Sequence, residues 1–236
     1  MFPRTAVILL VAGMLVTSAR AQYFNIDIDD PYSPPPLGGG PPSDSFGAAA
    51  NQPGYWNSVR IQNQAPVGLI DIHGVATAAE MSVVANDNLS GMSYLFTGNT
   101  GDFALLLNDA RQVGTVDQGG FQTYTFSGLA NGTYQVYTYA VMPMGLVSET
   151  PVFVAGSTST NPQIVTGPMP GDAFALGITH SLHNVEVTNG GLVVSVTIPP
   201  GVMNGGWING FQITPEPNSL LLVSIGALVG LRRRRS

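Results

Sequence analysis

From Tyr55 to Thr214 apolar and polar residues alternate at a period of two, broken repeatedly by glycine-rich turns. "YWNSVRI" sets Trp56, Val59 and Ile61 in a first strand, and "APVGLIDIHGVATAAEMSVV" reads as two strands turning near His73 and Gly74. "FQTYTFSGL" and "TYQVYTYAV" alternate again, and the "ANG" between them predicts a turn joining a strand pair. In the second, Tyr134, Val136, Thr138 and Ala140 share one face while Gln135, Tyr137, Tyr139 and Val141 share the other. Neither face is fully polar, so this strand is expected to lie centrally in a sheet. "TPVFVAG", "HNVEVTNGGLVVSVTIP" with a predicted hairpin at Asn189-Gly190-Gly191, and "GGWINGFQIT" complete the series. "DFALLLNDARQV" fits either a short helix or a buried strand, because Leu105, Leu106 and Leu107 stand in a row. Eight or more short strands with no long helix between the two ends predict an all-β fold, a single β-sandwich or jelly roll over residues 55–214.

Ahead of this body, residues 22–54 are crowded with Pro, Gly, Ala and small polar groups and read as an irregular arm. Asp27, Asp29 and Asp30 resemble part of a calcium loop, but the glycine and twelfth-position glutamate of an EF-hand are missing. The expectation is an acidic run facing water, with no metal.

Both ends of the chain are apolar. Arg4, the uncharged stretch at residues 5–16 and the small pair Ala19 and Ala21 have the layout of a cleaved signal peptide, with Gln22 as the first mature residue. As a helix the stretch covers about 18 Å of a roughly 30 Å hydrocarbon core, too short for a comfortable anchor. At the other end Pro215-Glu216-Pro217 precedes "SLLLVSIGALVGL", about 20 Å as a helix, and then Arg232, Arg233, Arg234 and Arg235. Four adjacent guanidinium groups without acidic neighbours cannot be paired inside a fold, so a core helix is excluded. Inserted in a membrane, they would stay on the cytoplasmic side.

This tail resembles the PEP-CTERM sorting signal of Gram-negative bacteria. The resemblance implies a membrane-embedded exosortase as partner, Pro215, Glu216 and Pro217 as its recognition element, transient residence in the inner membrane as a C-terminal hydrophobic helix, and delivery to the cell surface or extracellular matrix. It covers residues 215–236 and is silent on what the exported body does.

Charge narrows the body's chemistry. Between residues 22 and 214 there are 13 Asp and Glu against Arg60 and Arg111, with no lysine, a net charge of about −11. A nucleic-acid backbone would be repelled. With no cysteine, disulfide staples and thiolate metal sites are also excluded. His180 and His183 form the one histidine pair; on a strand their odd spacing sends them to opposite faces, and two imidazoles fall short of a catalytic zinc site. No GxSxG elbow occurs. Glycoside hydrolysis needs only two suitably spaced carboxylates, so it stays open as a remote alternative.

"FSGLANGTYQVYTYA", "GITHSLHNVEVTNGGLVVSV" and "INGFQI", with the Trp56-Asn57 pair, resemble exported β-sandwich domains similar in outline to galactose-binding-like jelly rolls. That resemblance concerns the fold; it assigns no function. The leading reading is a non-catalytic exported surface or matrix protein needing no cofactor. The alternative is a module that binds an extracellular polysaccharide, since sugars stack on aromatic rings and bond to amides and carboxylates. Tyr55, Trp56, Asn57, Tyr137, Tyr139, Trp207 and Asn209 are the candidate ligand residues, with core packing as their competing role; Trp56 and Trp207 would then be buried together where the opening and closing strands pair.

Overall fold

The computed structural model describes residues 22–29, 39–60, 64–86, 91–94, 96–113, 119–201 and 205–216. In chain order these form β1 (Phe24–Asp29), β2 (Trp56–Arg60), β3 (Gln64–Ile70), β4 (Ala76–Ala85), β5 (Gly91–Ser93), α1 (Gly101–Leu107) and β6 (Asp109–Gln112). There follow β7 (Gly120–Ser127), β8 (Gly132–Tyr139), β9 (Ser148–Val154), β10 (Gln163–Gly167), β11 (His180–Val187), β12 (Leu192–Ile198), β13 (Trp207–Ile208) and β14 (Gly210–Pro215). A five-stranded sheet, β11-β8-β14-β1-β2, faces a six-stranded sheet, β10-β9-β12-β7-β4-β3, and a small sheet β13-β6-β5 lies beside them. The all-β sandwich expected from the alternation is present, with one short helix. The ambiguous leucine run supplies both alternatives: α1, with Asp102 in its first turn, then β6.

Phe24, Ile26, Phe211, Ile213, Tyr134 and Val136 of the first sheet meet Met81, Tyr124, Phe126, Val152 and Val194 of the second in one buried core. The Phe211 ring sits edge-on to Tyr124 at 4.8 Å and to Phe126 at 5.7 Å between centroids, tying the two sheets together.

Two predicted hairpins are corrected. β7 and β8 do not pair: β7 hydrogen-bonds to β12 and β4, while β8 lies between β11 and β14 in the opposite sheet. Likewise β11 and β12 belong to different sheets. Each glycine turn is an arch that carries the chain across the core, and the two arches stack. Leu129 N–H donates to the Gly190 carbonyl at 3.0 Å, and Gly190 N–H donates to Asn131 Oδ1 at 3.1 Å. Gly128 has φ +69°, and a Cβ there would lie 2.2 Å from the Ala78 oxygen, so this crossing demands glycine. The inward rows of both strands are mainly apolar, and a hairpin and an arch make the same demand on that pattern. The central position of β8 holds as expected.

The boundary of the sandwich also moves. Residues 24–29, expected in the irregular arm, form a central strand that pairs antiparallel with β14 and parallel with β2. Phe24, Ile26 and Ile28 face the core, while Asn25, Asp27 and Asp29 are buried on the other face instead of meeting water. That outer face is roofed by the true arm. Asn25 Oδ1 accepts from Gln52 Nε2 at 2.8 Å and from Gln212 Nε2 at 2.9 Å. Gln212 Oε1 accepts from Ala50 N–H at 3.0 Å and from the Tyr139 hydroxyl at 2.5 Å, and Gln212 Nε2 also donates to the Gly47 carbonyl. Ala49 N–H donates to the Tyr139 oxygen, and Asn25 Nδ2 donates to the Gln52 carbonyl. Pairing of this kind offsets the desolvation of buried amides and backbone groups.

At the C-terminal side Pro215 is the last residue of β14 and buried, and Glu216 N–H donates to the Thr133 carbonyl at 2.9 Å. The Pro-Glu-Pro motif thus begins inside the final strand. Ala19, Ala21, Asp30, Pro217 and Arg232 to Arg235 lie outside the described residues. Among the described residues no helix is long and apolar enough to cross a membrane.

Gln212→Ala strips partners from Asn25, Tyr139, Ala50 and Gly47 at once. It is expected to lower unfolding stability by about 2–4 kcal/mol and to speed amide exchange in residues 47–52, as read by denaturant titration and hydrogen exchange.

Candidate functional site

The sequence-derived ligand residues are placed mostly in the interior. Trp56 is 2 % exposed, its indole N–H donating to the Phe46 carbonyl at 3.1 Å, and it packs in a second core with Leu106, Leu107, Tyr139 and the rings of Phe46, Phe103 and Phe174. Trp207 is 1 % exposed in a separate cluster with Ala110 and Met142, so the two tryptophans are buried apart, not together. The strands that open and close the domain do pair, but through β1 and β14. Asn57 and Asn209 are cross-links. Asn57 Nδ2 donates to the Asn25 and Ile70 carbonyls and its Oδ1 accepts from Ile70 N–H, joining β1, β2 and β3. Asn209 Oδ1 accepts from Val141 N–H at 2.7 Å while its Nδ2 donates to the Asp109 carbonyl at 2.7 Å. Tyr137 is half-buried beside the His180 ring. Tyr55 alone of the seven stands at the surface, 36 % exposed.

Tyr55 also adjoins a cavity. Its N–H donates to the Ile72 carbonyl at 3.0 Å, and Ile72 N–H donates to the Tyr23 carbonyl at 3.2 Å, so the turn between β3 and β4 is wedged between the starts of β1 and β2. Next to this wedge opens a cavity of about 500 Å³. One wall is Gln22 and Tyr23, the rim is Asp71 and His73, and the floor is the start of β4 at Ala76, Thr77 and Ala78 with the arch residues 128–130.

Local chemistry builds the rim. Asp71 Oδ1 accepts from His73 N–H at 2.9 Å and Val75 N–H at 3.0 Å, an Asx turn that Gly74 closes with φ +77°. These bonds orient the carboxylate, and among the described residues Oδ2 takes no partner. Thr77 Oγ1 donates to Leu69 O and is fully engaged in the floor. On the wall, Gln22 Oε1 accepts from Ala130 N–H at 3.1 Å. The site therefore presents one fixed carboxylate and one exposed imidazole, with Tyr23 in its lining and Tyr55 bonded to the adjoining turn. Reasoning from sequence missed Gln22, Tyr23 and Asp71 and read His73 only as a turn. The available signal was the Asp71-x-His73-Gly74 spacing of an Asx turn, which predicts the turn and not the cavity beside it.

His180 and His183 both lie in β11, and both are buried. His183 faces the core with neither ring nitrogen hydrogen-bonded, beside Ser181 and Thr138 whose hydroxyls also lack partners. Among the described residues no group of three His, Cys, Asp or Glu could hold a metal ion.

No protein-family model matches the chain, and no curated protein is similar to it. Solved structures that it resembles are carbohydrate-binding modules. A family 35 module from Clostridium thermocellum shares 11 % identity over 56 % of this chain and 90 % of its own, with a TM-score of 0.33. The family 35 module of Cellvibrio japonicus Abf62 shares 12 % over 58 % and 95 %, with a TM-score of 0.32. A third, Xyl-CBM35 in complex with a glucuronic-acid-containing disaccharide, shares 12 % over 57 % and 86 %, with a TM-score of 0.33. No residue of the cavity is carried over from these modules.

Burial lowers the pKa of both His180 and His183 to about 4. Since an unfolded histidine titrates near 6.5, the unfolded chain binds more protons than the native one between about pH 4 and 6.5. The histidines thus impose no cost above that window and a growing one as pH falls through it. Asp27 acts in the opposite sense: burial, and then the charge of Asp29, raise its pKa, so its cost grows as pH rises. The denaturation midpoint is expected to fall between pH 6.5 and 4, with a shallower fall in His183→Leu and with Asp27→Asn gaining on wild type toward alkaline pH.

Proposed function

We propose that the body is an exported, non-catalytic carbohydrate-binding module whose ligand enters the cavity between Tyr23, Asp71, His73 and the arch at residues 128–130. The observation that carries this reading is the meeting of a pre-oriented carboxylate, an exposed histidine and Tyr23 around about 500 Å³ of open space. A pyranose offers an apolar face to a ring and a hydroxyl edge to a carboxylate, and a cavity of this volume suits one or two sugar units. The lining holds a single carboxylate, whereas glycoside hydrolysis uses a pair flanking the bond. Tyr23→Ala and Asp71→Ala are expected to weaken binding of a soluble polysaccharide about tenfold or more, roughly 1.4 kcal/mol each, in affinity electrophoresis or calorimetry. Tyr137→Ala, distant from the cavity lining, is expected to leave it unchanged. Retained affinity in both cavity variants, or turnover of the polysaccharide, would remove this reading.

Delivery to the cell surface belongs to the same proposal and rests on the two termini. Pro215 ends β14 and the Glu216 amide is bonded to Thr133, so the motif stands directly against the folded body with no spacer. Glu216→Ala keeps that backbone bond, and the body is expected to stay folded while full-length protein accumulates in the inner membrane. Immunoblots of membrane and extracellular fractions, with one tag in the body and one after Ser236, read the outcome. Identical fractionation of wild type and variant would eliminate the sorting role.

A further inference from the structure

We infer that position 22 of the mature chain is a pyroglutamyl residue, a cyclised N-terminus that forms a wall of the cavity; the inference rests on the export reading, in which cleavage after Ala21 frees the Gln22 amine. The side chain is held in a way that suits this modification. Gln22 Oε1 accepts a hydrogen bond from Ala130 N–H at 3.1 Å, whereas Nε2 makes none among the described residues. Cyclisation keeps the first atom and expels the second. The α-amino nitrogen attacks Cδ of its own side chain, a C–N bond closes the five-membered lactam, and the Cδ–Nε2 bond breaks. The carboxamide nitrogen leaves as ammonia with the proton that the α-nitrogen gives up, and nothing is oxidised or reduced.

The Ala130 N–H is placed to assist that step. Negative charge builds on Oε1 in the tetrahedral intermediate, and a backbone donor already aimed at this oxygen stabilises it. The lactam carbonyl oxygen is the former Oε1, the acceptor of the Ala130 N–H. Cyclisation also removes the positive charge of a free α-ammonium from a half-buried position, where desolvating a charge is costly. The mature cavity then presents Asp71 and His73 opposite a neutral, rigid ring.

The test uses the full chain expressed in a secreting Gram-negative host, with the exported protein collected cold and its free amines labelled at once. Within the mature chain the first tryptic site is Arg60, so the N-terminal peptide runs from residue 22 to Arg60. The expected peptide is unlabelled and one ammonia lighter than the glutamine form. A labelled peptide starting at Gln22 would overturn cyclisation while leaving export intact; a peptide starting elsewhere would overturn both. Amide exchange at Ala130 tests the placement in the cavity: it is expected to be slow in the mature protein and about tenfold faster in Gln22→Ala, a difference that corresponds to the loss of one hydrogen bond. Equal rates would refute the lactam as part of the wall.

Discussion

The amide layer linking Asn25, Gln52, Gln212 and the Tyr139 hydroxyl is the constraint on which the rest of the molecule rests. Strands β1 and β14 of the five-stranded sheet are buried on both faces: one meets the second sheet, and the other lies under the arm at residues 46–52. An apolar outer face would bury the strands equally well, yet it could not supply partners for the backbone groups of an arm that has no strand of its own. Side-chain amides do both, because each offers donors and an acceptor. Gln212 alone takes Ala50 N–H and gives to Gly47 O. With the arm fixed, Phe46 is held beside Trp56, and the aromatic second core around α1 can form.

The same layer leaves some groups unmatched. Asp27 lies between the paired Asn25 and Asp29 on this face, fully buried with neither oxygen hydrogen-bonded. Asp29, by contrast, accepts from Gly40 N–H and the Ser58 hydroxyl. Burial, and then the charge of Asp29, raise the Asp27 pKa, while on β11 burial lowers that of His183 to about 4. Both shifts favour the neutral form, and they act on stability from opposite ends of the pH scale.

At the arch end the regular layers stop. The arch at residues 128–130, the β3–β4 turn and the start of β1 converge there, and their small residues leave the space that Asp71, His73 and Tyr23 line. Backbone groups that no ladder can pair are taken up locally, by Asp71 in the turn and by Gln22 at Ala130. The candidate site is thus a product of how the sandwich closes. Trp56 and Tyr139, which look like sugar platforms in the sequence, are buried in the second core instead, and Trp207 is buried in the cluster with Ala110 and Met142.

Period-two alternation determined that this chain is a β-sandwich, and it located the strand of residues 132–139 and its central place, because the faces of a strand are written in every second residue. It could not say which strands pair. Glycine turns at residues 128–131 and 188–191 suit a hairpin and an arch alike, and only the packing of Phe126 and Phe211 across the core selects the arch. Nor could it show that "FNIDID" is a central strand, since its polar residues signal an exposed face unless amides from residues 52 and 212 arrive to pair them. The turn at Asp71 was legible from local spacing. The cavity beside it was decided by tertiary structure alone, because its walls come from residues as far apart as Gln22, Thr77 and Ala130, and no local rule relates them.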